Sequence, residues 1–347
     1  MACIRISSLS VSRFFSMMCA DMALSSHSHS HAHTDATSTR RAFGEALASA
    51  GIKTKNLVVL DADLSTSVMT HLFERRFPER HINMGISEQD MIDTSAGLAL
   101  GGKLPIACSF AIFLTGLGWQ QIRNGVCYPN LNVKFVGSHA GIQVGEDGAT
   151  HQALEDIAIM RVIPNMKVFC PVDAIEMKKM LPVILQDYGP TYIRLCRQIV
   201  PNVLDENYEF VIGKGSVITE GDDIGIIAVG TLVSSCLAAA QKLKEEGISV
   251  RVVNMSSIKP LDAKLIRQTA DKVKLLVTAE DHQVVGGLAS AVAETLCNGK
   301  PKAFHSIGMH DSFGESGKSA DLYRKYKFDA EGVYSQLKEW WAQNLRG

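Results

Sequence analysis

One stretch constrains the fold more than any other: the run Val133–Val136 and the polar segment that follows it, Ser138–Gln152, reading SHAGIQVGEDGATHQ. A largely apolar run bounded by glycines is what a buried parallel strand looks like, and the polar segment then lies at its carboxyl end. Open α/β sheets bind their ligands at that edge. The segment holds His139 and His151, the adjacent carboxylates Glu146 and Asp147, and Gly141, Gly145 and Gly148. Glycine carries no Cβ, so such a backbone can bend sharply and approach a polar ligand closely. The same composition also suits a solvated surface loop, and the stretch by itself does not separate the two.

The rest of the chain alternates between short apolar runs and helical periodicity. Ser38 or Thr39 can cap a helix that ends near Gly51. Strands are expected at Leu57–Leu60, Pro105–Ser109, Met166–Cys170 and Thr191–Leu195. Helices are expected from Met91 onward, where small residues suit close packing, and at His151–Met160 and Ala174–Leu185. A segment rich in Pro, Asn, Asp and Glu, Val200–Tyr208, separates this unit from a second one. There, strands are expected at Ile224–Val229, Val250–Asn254 and Leu275–Glu280, with helices at Ser234–Glu246 and after Gly286-Gly287. This alternation implies an α/β fold with two parallel-sheet α/β domains. The expected divisions are a tail at 1–38, a first domain at 39–200, a linker at 201–222 and a second domain at 223–347. A length of 347 residues fits two domains.

Composition narrows the function classes. A formal charge of -1 with dispersed basic residues gives no electrostatic case for nucleic acid or an anionic membrane. No apolar run reaches the ~18 residues of a transmembrane helix. Eight scattered cysteines, without C-x-x-C spacing, fit reduced thiols in a cytoplasmic protein rather than a disulfide framework or a metal site. Residues 1–38 are rich in Ser and Met, poor in acids, and include a run in which His27, His29, His31 and His33 alternate with small residues. They read as a disordered tail or as a targeting extension to an organelle.

The segment GEDGATHQ resembles the GEDGPTHQ of transketolases, and it stands in order with Ile86-Ser-Glu-Gln89, with Ser109-Phe110-x-x-Phe113 and with Arg197. From about Thr39 onward the chain resembles the transketolase family, specifically the C-terminal, beta-type subunit of transketolases split over two polypeptides. The resemblance implies a pyrimidine-binding domain followed by the transketolase C-terminal domain. It implies thiamine diphosphate as cofactor, with Glu88 as the carboxyl that hydrogen-bonds N1′ of the aminopyrimidine, and with Phe110, Phe113, Asp63 and Gln89 also at the cofactor. Arg40, Ser67, His139 and Arg197 are implied to hold the sugar phosphate, and Asp147 and His151 the reacting hydroxyls. Glu88, Asp147 and His151 are thereby the catalytic candidates. Two positions depart from full-length transketolases: Gly116 stands where a tyrosine is usual, and Gln89 where a histidine is usual.

The GDG-and-Asn pattern that holds Mg²⁺ in thiamine enzymes is not found in this sequence, so no metal ligand is assigned. The resemblance then implies that a partner, the N-terminal transketolase subunit, holds Mg²⁺ and the diphosphate, in an α2β2 assembly. The implied reaction moves a two-carbon ketol unit from a ketose phosphate to an aldose phosphate, as in the pentose phosphate pathway. Rival readings are a 1-deoxyxylulose 5-phosphate synthase-like enzyme, which shares the Glu-Gln pair, a pyruvate dehydrogenase beta subunit, and a non-catalytic regulatory subunit of the same fold.

Overall fold

The structure, a computed structural model, describes residues 36–297, 299 and 302–344. The tail expected at 1–38 lies outside the described residues up to residue 35. Thr37 and Ser38 belong to the folded unit: Thr37 bridges Val200, and Ser38 Oγ accepts from the Arg41 amide at the start of the helix Thr39–Lys53. That helix runs two residues past Gly51.

In chain order the strands are β1 (Leu57–Asp61), β2 (His81–Asn83), β3 (Leu104–Phe110), β4 (Lys134–Ser138), β5 (Lys167–Phe169) and β6 (Thr191–Arg194). They continue with β7 (Ser216–Thr219), β8 (Ile224–Ala228), β9 (Val250–Asn254), β10 (Ser257–Lys259), β11 (Leu275–Gln283) and β12 (Phe304–Met309). One sheet runs β10-β5-β6-β4-β3-β1-β2 and the other β12-β11-β8-β9-β7. Both are parallel except at one edge, where β10 pairs antiparallel with β5 and β7 antiparallel with β9. Those two edge strands are the difference from two purely parallel sheets. β7 falls inside the span expected as linker, and β10 comes from the second half of the chain yet completes the first sheet. Each has only three or four residues, too few for a periodic signal.

The central strands are apolar because helices cover both faces, and β1, β3, β4 and β6 are buried throughout. Lys134 is the one cation in β4; its ammonium is satisfied by the carbonyls of Asp187 and Gly189 at 2.7 and 2.8 Å. Burial lowers its pKa to about 7. A single apolar cluster joins Met91, Phe135 and Ile157 around the first sheet to Ile227, Val253 and Leu276 of the second. Full burial of each such side chain contributes about 1.5–3 kcal/mol, which is what couples the two halves.

Two expected helices differ in detail. The helix foreseen at His151–Met160 is confined to Asp156–Arg161; before it, Ala153 bridges Ala140, and Gln152 and Leu154 bond to Glu315 and Gln283 of the second half. In the helix Glu88–Leu100, Ala96 is buried but Gly97 faces open space, so the small residues there are only partly explained by close packing. No helix among the described residues is long and apolar enough to cross a membrane. The described cysteines, Cys108, Cys127, Cys170, Cys196, Cys236 and Cys297, are all free.

The segment after β6 is held firmly. Asp173 accepts from the amides of Val203 and Leu204 at 2.8 and 3.0 Å. Glu176, fully buried, accepts from the Val172 amide at 2.7 Å, from Tyr208 Oη at 2.7 Å and from Asn254 Nδ2 at 3.1 and 3.2 Å. Burial pushes its pKa up, and these donors oppose the shift. Removing the carboxylate strands Asn254 and the Val172 amide in a dry interior. Glu176→Ala is therefore expected to lower unfolding free energy by about 2–4 kcal/mol, read from the urea midpoint of the full chain.

Candidate active site

Four adjacent strands deliver the candidate residues to one edge. β1 ends at Asp61, just before Asp63 and Ser67; β3 ends at Phe110; β4 ends at Ser138, next to His139; β6 ends at Arg194, three residues before Arg197. All four are parallel, so their carboxyl ends lie on the same side of the sheet.

An aromatic group forms there. The Phe110 ring stacks on the His139 imidazole with centroids 4.0 Å apart, and on Phe113 at 5.9 Å. His151 meets Phe113 edge-on at 5.2 Å and Phe110 at 6.2 Å. Glu88, buried at the first turn of its helix, accepts from Ser109 Oγ at 2.9 Å, and Ser109 directly precedes Phe110. The helix N-terminus also favours a carboxylate at that position.

The charged residues gather beside the rings. Arg197 donates to the Val144 carbonyl at 2.6 Å and pairs with Asp147 at 3.3 Å. Arg40 donates to the Ser67 carbonyl at 2.7 Å, so Ser67 contributes its backbone oxygen here. Burial, then the positive charges of Arg40, Arg197 and His151, lower the pKa of His139 to about 3. Burial and then Arg197 likewise lower Arg40. A neutral imidazole under the influence of two guanidinium groups, one of them paired with Asp147, is an environment that attracts an anion.

Asp63 has φ 60°, which an aspartate tolerates, whereas His139 has φ 57°, in the left-handed region that is costly for most side chains. Such strain concentrates where a fold must aim a side chain. Asp63 and Gln89 have partners outside the aromatic group. Asp63 is exposed and accepts from Asn83 Nδ2 at 3.1 Å. Gln89 is exposed and its amide donates to the Leu117 carbonyl at 3.0 Å.

The loop that carries His139, Asp147 and His151 is propped by the second half of the chain. Ser316 donates to the Glu146 carbonyl at 2.5 Å, Ser319 to the Gln143 carbonyl at 2.8 Å, and Gln152 to the Glu315 carbonyl at 2.9 Å. Arg194, buried, donates to both oxygens of Asp156 at 3.1 and 2.9 Å and to the Ala153 carbonyl at 3.1 Å. None of these supports was foreseen. Arg194 alone had a signal, as a cation at the end of an otherwise buried strand.

Residues 35–202 match the transketolase pyrimidine-binding domain, and residues 213–333 the transketolase C-terminal domain. The chain belongs to the transketolase family. A protein described as a putative transketolase C-terminal section, from Methanocaldococcus jannaschii, is 47% identical over 303 residues, covering 86% of this chain and 95% of that protein. A 6-deoxy-6-sulfo-D-fructose transketolase subunit from a Clostridium species is 39% identical over 300 residues, covering 86% of this chain and 93% of its own. A solved structure described as a split-gene transketolase, inactive beta4 tetramer, superposes with TM-score 0.82 at 44% identity, covering 88% of this chain and 99% of that one.

The two α/β domains are thus those of a transketolase, and transketolase-family domains imply dependence on thiamine diphosphate. The residues present fit the aminopyrimidine end of that cofactor. A flat heterocycle needs an aromatic face and a buried acceptor for a ring N–H, and Phe110, Phe113 and Glu88 offer these side by side. Among the described residues, no group of three or more His, Cys, Asp or Glu could hold a metal ion.

The His139 environment makes a prediction about stability. The unfolded chain takes up a proton at His139 near its ordinary 6.5, whereas the folded chain does so only near 3. The folded pKa is the lower, so this contribution is complete above about pH 6.5 and is lost as pH falls toward 3. His139→Asn is expected to flatten the pH dependence of unfolding free energy between pH 6 and 4 by up to about 1.4 kcal/mol per pH unit, in urea titrations against the native chain.

Proposed function

We propose that this chain is the C-terminal subunit of a two-polypeptide transketolase, transferring a two-carbon ketol unit from a ketose phosphate to an aldose phosphate in the pentose phosphate pathway. The observation that carries the reading is the convergence of Phe110, Phe113, His139 and His151 beside Glu88 and the two arginines at one sheet edge. When bound, thiamine diphosphate supplies the nucleophilic carbon and the electron sink that sugar cleavage requires.

The chain's own residues do the rest. Glu88 shares a proton with N1′ of the aminopyrimidine, in a buried setting where that proton is not lost to water. Phe110 and Phe113 hold the ring flat, and Asp63 and Gln89 border the cofactor from the exposed side. Arg40, Arg197 and His139 bind the sugar phosphate through charge-assisted hydrogen bonds, with Ser67 fixing the Arg40 guanidinium. Asp147 and His151 hold hydroxyls whose charge changes along the reaction, and His151 is the group suited to moving a proton there.

Residues 39–200 serve as the pyrimidine-binding domain and 223–347 as the C-terminal domain, joined by 201–222. An N-terminal subunit in an α2β2 assembly, located in the cytoplasm, holds Mg²⁺ and the diphosphate. The split reading is supported by relatives of this length that are themselves described as a C-terminal section or a subunit.

Two-carbon transfer from xylulose 5-phosphate to ribose 5-phosphate, measured with this chain alone and with its partner subunit, tests the proposal. Activity only with both chains is expected; full activity of this chain alone removes the split-subunit claim. Pyruvate consumption without ketol transfer would favour the 1-deoxyxylulose 5-phosphate synthase reading instead. Glu88→Ala is expected to lower kcat by at least about 100-fold with unchanged circular dichroism, and native turnover in that variant would remove Glu88 from the mechanism. Arg197→Ala is expected to raise KM about tenfold for phosphorylated donors, and an equal rise for non-phosphorylated donors would sink its role at the phosphate.

A further inference from the structure

The base of the loop that carries His139, Asp147 and His151 is gripped by a carboxylate from the other half of the chain. Gly141 opens the loop with φ 80°, and its amide donates to the Ala153 carbonyl at 2.9 Å, so the two ends of the loop are tied together. Asp281, near the end of β11, lies directly against that junction. A Cβ at Gly141 would sit 2.2 Å from Asp281 Oδ2, so the carboxylate occupies the space that only glycine leaves open. Its Oδ1 accepts from the Ile142 amide at 2.9 Å, and its Oδ2 from Tyr323 Oη at 3.0 Å. Tyr323 in turn shares a 2.8 Å hydrogen bond with Thr231. The carboxylate is buried, and the Asp281 carbonyl accepts from Arg194 at 2.8 Å.

We propose that Asp281 is a positioning residue for the sugar-phosphate site: by holding the Ile142 amide it sets the entry of the loop and so the aim of His139, Asp147 and His151. This inference rests on the transketolase reading above. The geometry singles out Asp281 among the loop's supports. Ser316 and Ser319 hold carbonyls further along the loop, at Glu146 and Gln143, and Gln152 reaches the Ile142 carbonyl only at 3.4 Å, whereas Asp281 fastens the Ile142 amide three residues from His139, directly after the positive-φ residues His139 and Gly141. Slack at that point is transmitted to both ends of the loop at once. An asparagine keeps an acceptor for the Ile142 amide, and its amide group can donate to Tyr323 Oη, so the grip survives loss of charge. An alanine removes the acceptor.

The test compares Asp281→Ala and Asp281→Asn in the full chain, using two readouts. Amide hydrogen exchange without substrate is expected to rise at least about tenfold across residues 139–152 in Asp281→Ala, with β3 and β4 unchanged, and to return to native values in Asp281→Asn. In the two-subunit enzyme below its melting temperature, Asp281→Ala is expected to raise KM for xylulose 5-phosphate at least about tenfold, with rescue by Asp281→Asn. A protein that is merely destabilised keeps its KM under those conditions. Native exchange or native KM in Asp281→Ala, or an Asp281→Asn variant as impaired as the alanine, overturns the proposal. Should Asp281→Ala not fold, the native chain still decides: an Ile142 amide exchanging as fast as that of the exposed Thr150 overturns it, and a protected one supports it. Because exchange is read without substrate, the two ideas fail separately. Absent two-carbon transfer refutes the transketolase reading, whereas an exchange pattern indifferent to residue 281 refutes the grip.

Discussion

Arg194 is the interaction on which the rest of the site depends. A guanidinium taken out of water is costly unless its donors are paired with good geometry, and a buried pair broken on one side is strongly destabilising. Here the partners come from three places: Asp156 at the start of a helix, the Ala153 carbonyl at the end of the site loop, and the Asp281 carbonyl on a strand of the second sheet. Asp156 also accepts from Tyr192 Oη at 2.7 Å, two residues before Arg194 in β6. Asp156 and Asp281 raise the Arg194 pKa against the opposing effect of burial, so the charge persists in the interior. Such a group is satisfied only when both sheets and the loop are in place together, and it makes their assembly cooperative.

That dependence explains the division of labour in the molecule. The first sheet supplies the candidate side chains, because four parallel strands end beside one another and each hands its chain to the same edge. The second half supplies their precision. Its serines and carboxylate hold backbone carbonyls and an amide of the loop, and its Glu315 carbonyl receives the loop's Gln152, so none of these supports occupies the side chains of His139, Asp147 and His151. The shared apolar cluster around Met91, Ile227 and Leu276 then keeps the two halves from moving independently.

The electrostatics of the edge follow from the same packing. His139 stays neutral first because its ring is buried against Phe110, and then because Arg40 and Arg197 penalise another positive charge. A bound dianion would offset both guanidinium charges and remove their part of the penalty, leaving that of burial. The left-handed backbone at His139 is a local conformational cost held in place by the packing around it.

The sequence by itself determined the alternation of strands and helices and the placing of the candidate strings at or near the carboxyl ends of strands. Those properties are written locally: apolar runs bounded by glycines, a capping Ser38, and the ordered strings around Glu88, Phe110 and His151. Only the tertiary structure decided which candidates meet. It brought Phe110, Phe113, His139 and His151 into ring contact, turned Gln89 toward the Leu117 carbonyl, used the backbone rather than the hydroxyl of Ser67, and shortened the helix after His151. It also joined β10 to a sheet belonging to the other half of the chain. Asp281 shows why these were not legible: it grips an amide 139 positions away in the chain, and no periodicity or spacing records a pairing of that range. Local composition specifies what a segment can become, but a hydrogen bond between distant segments exists only once packing has chosen their register.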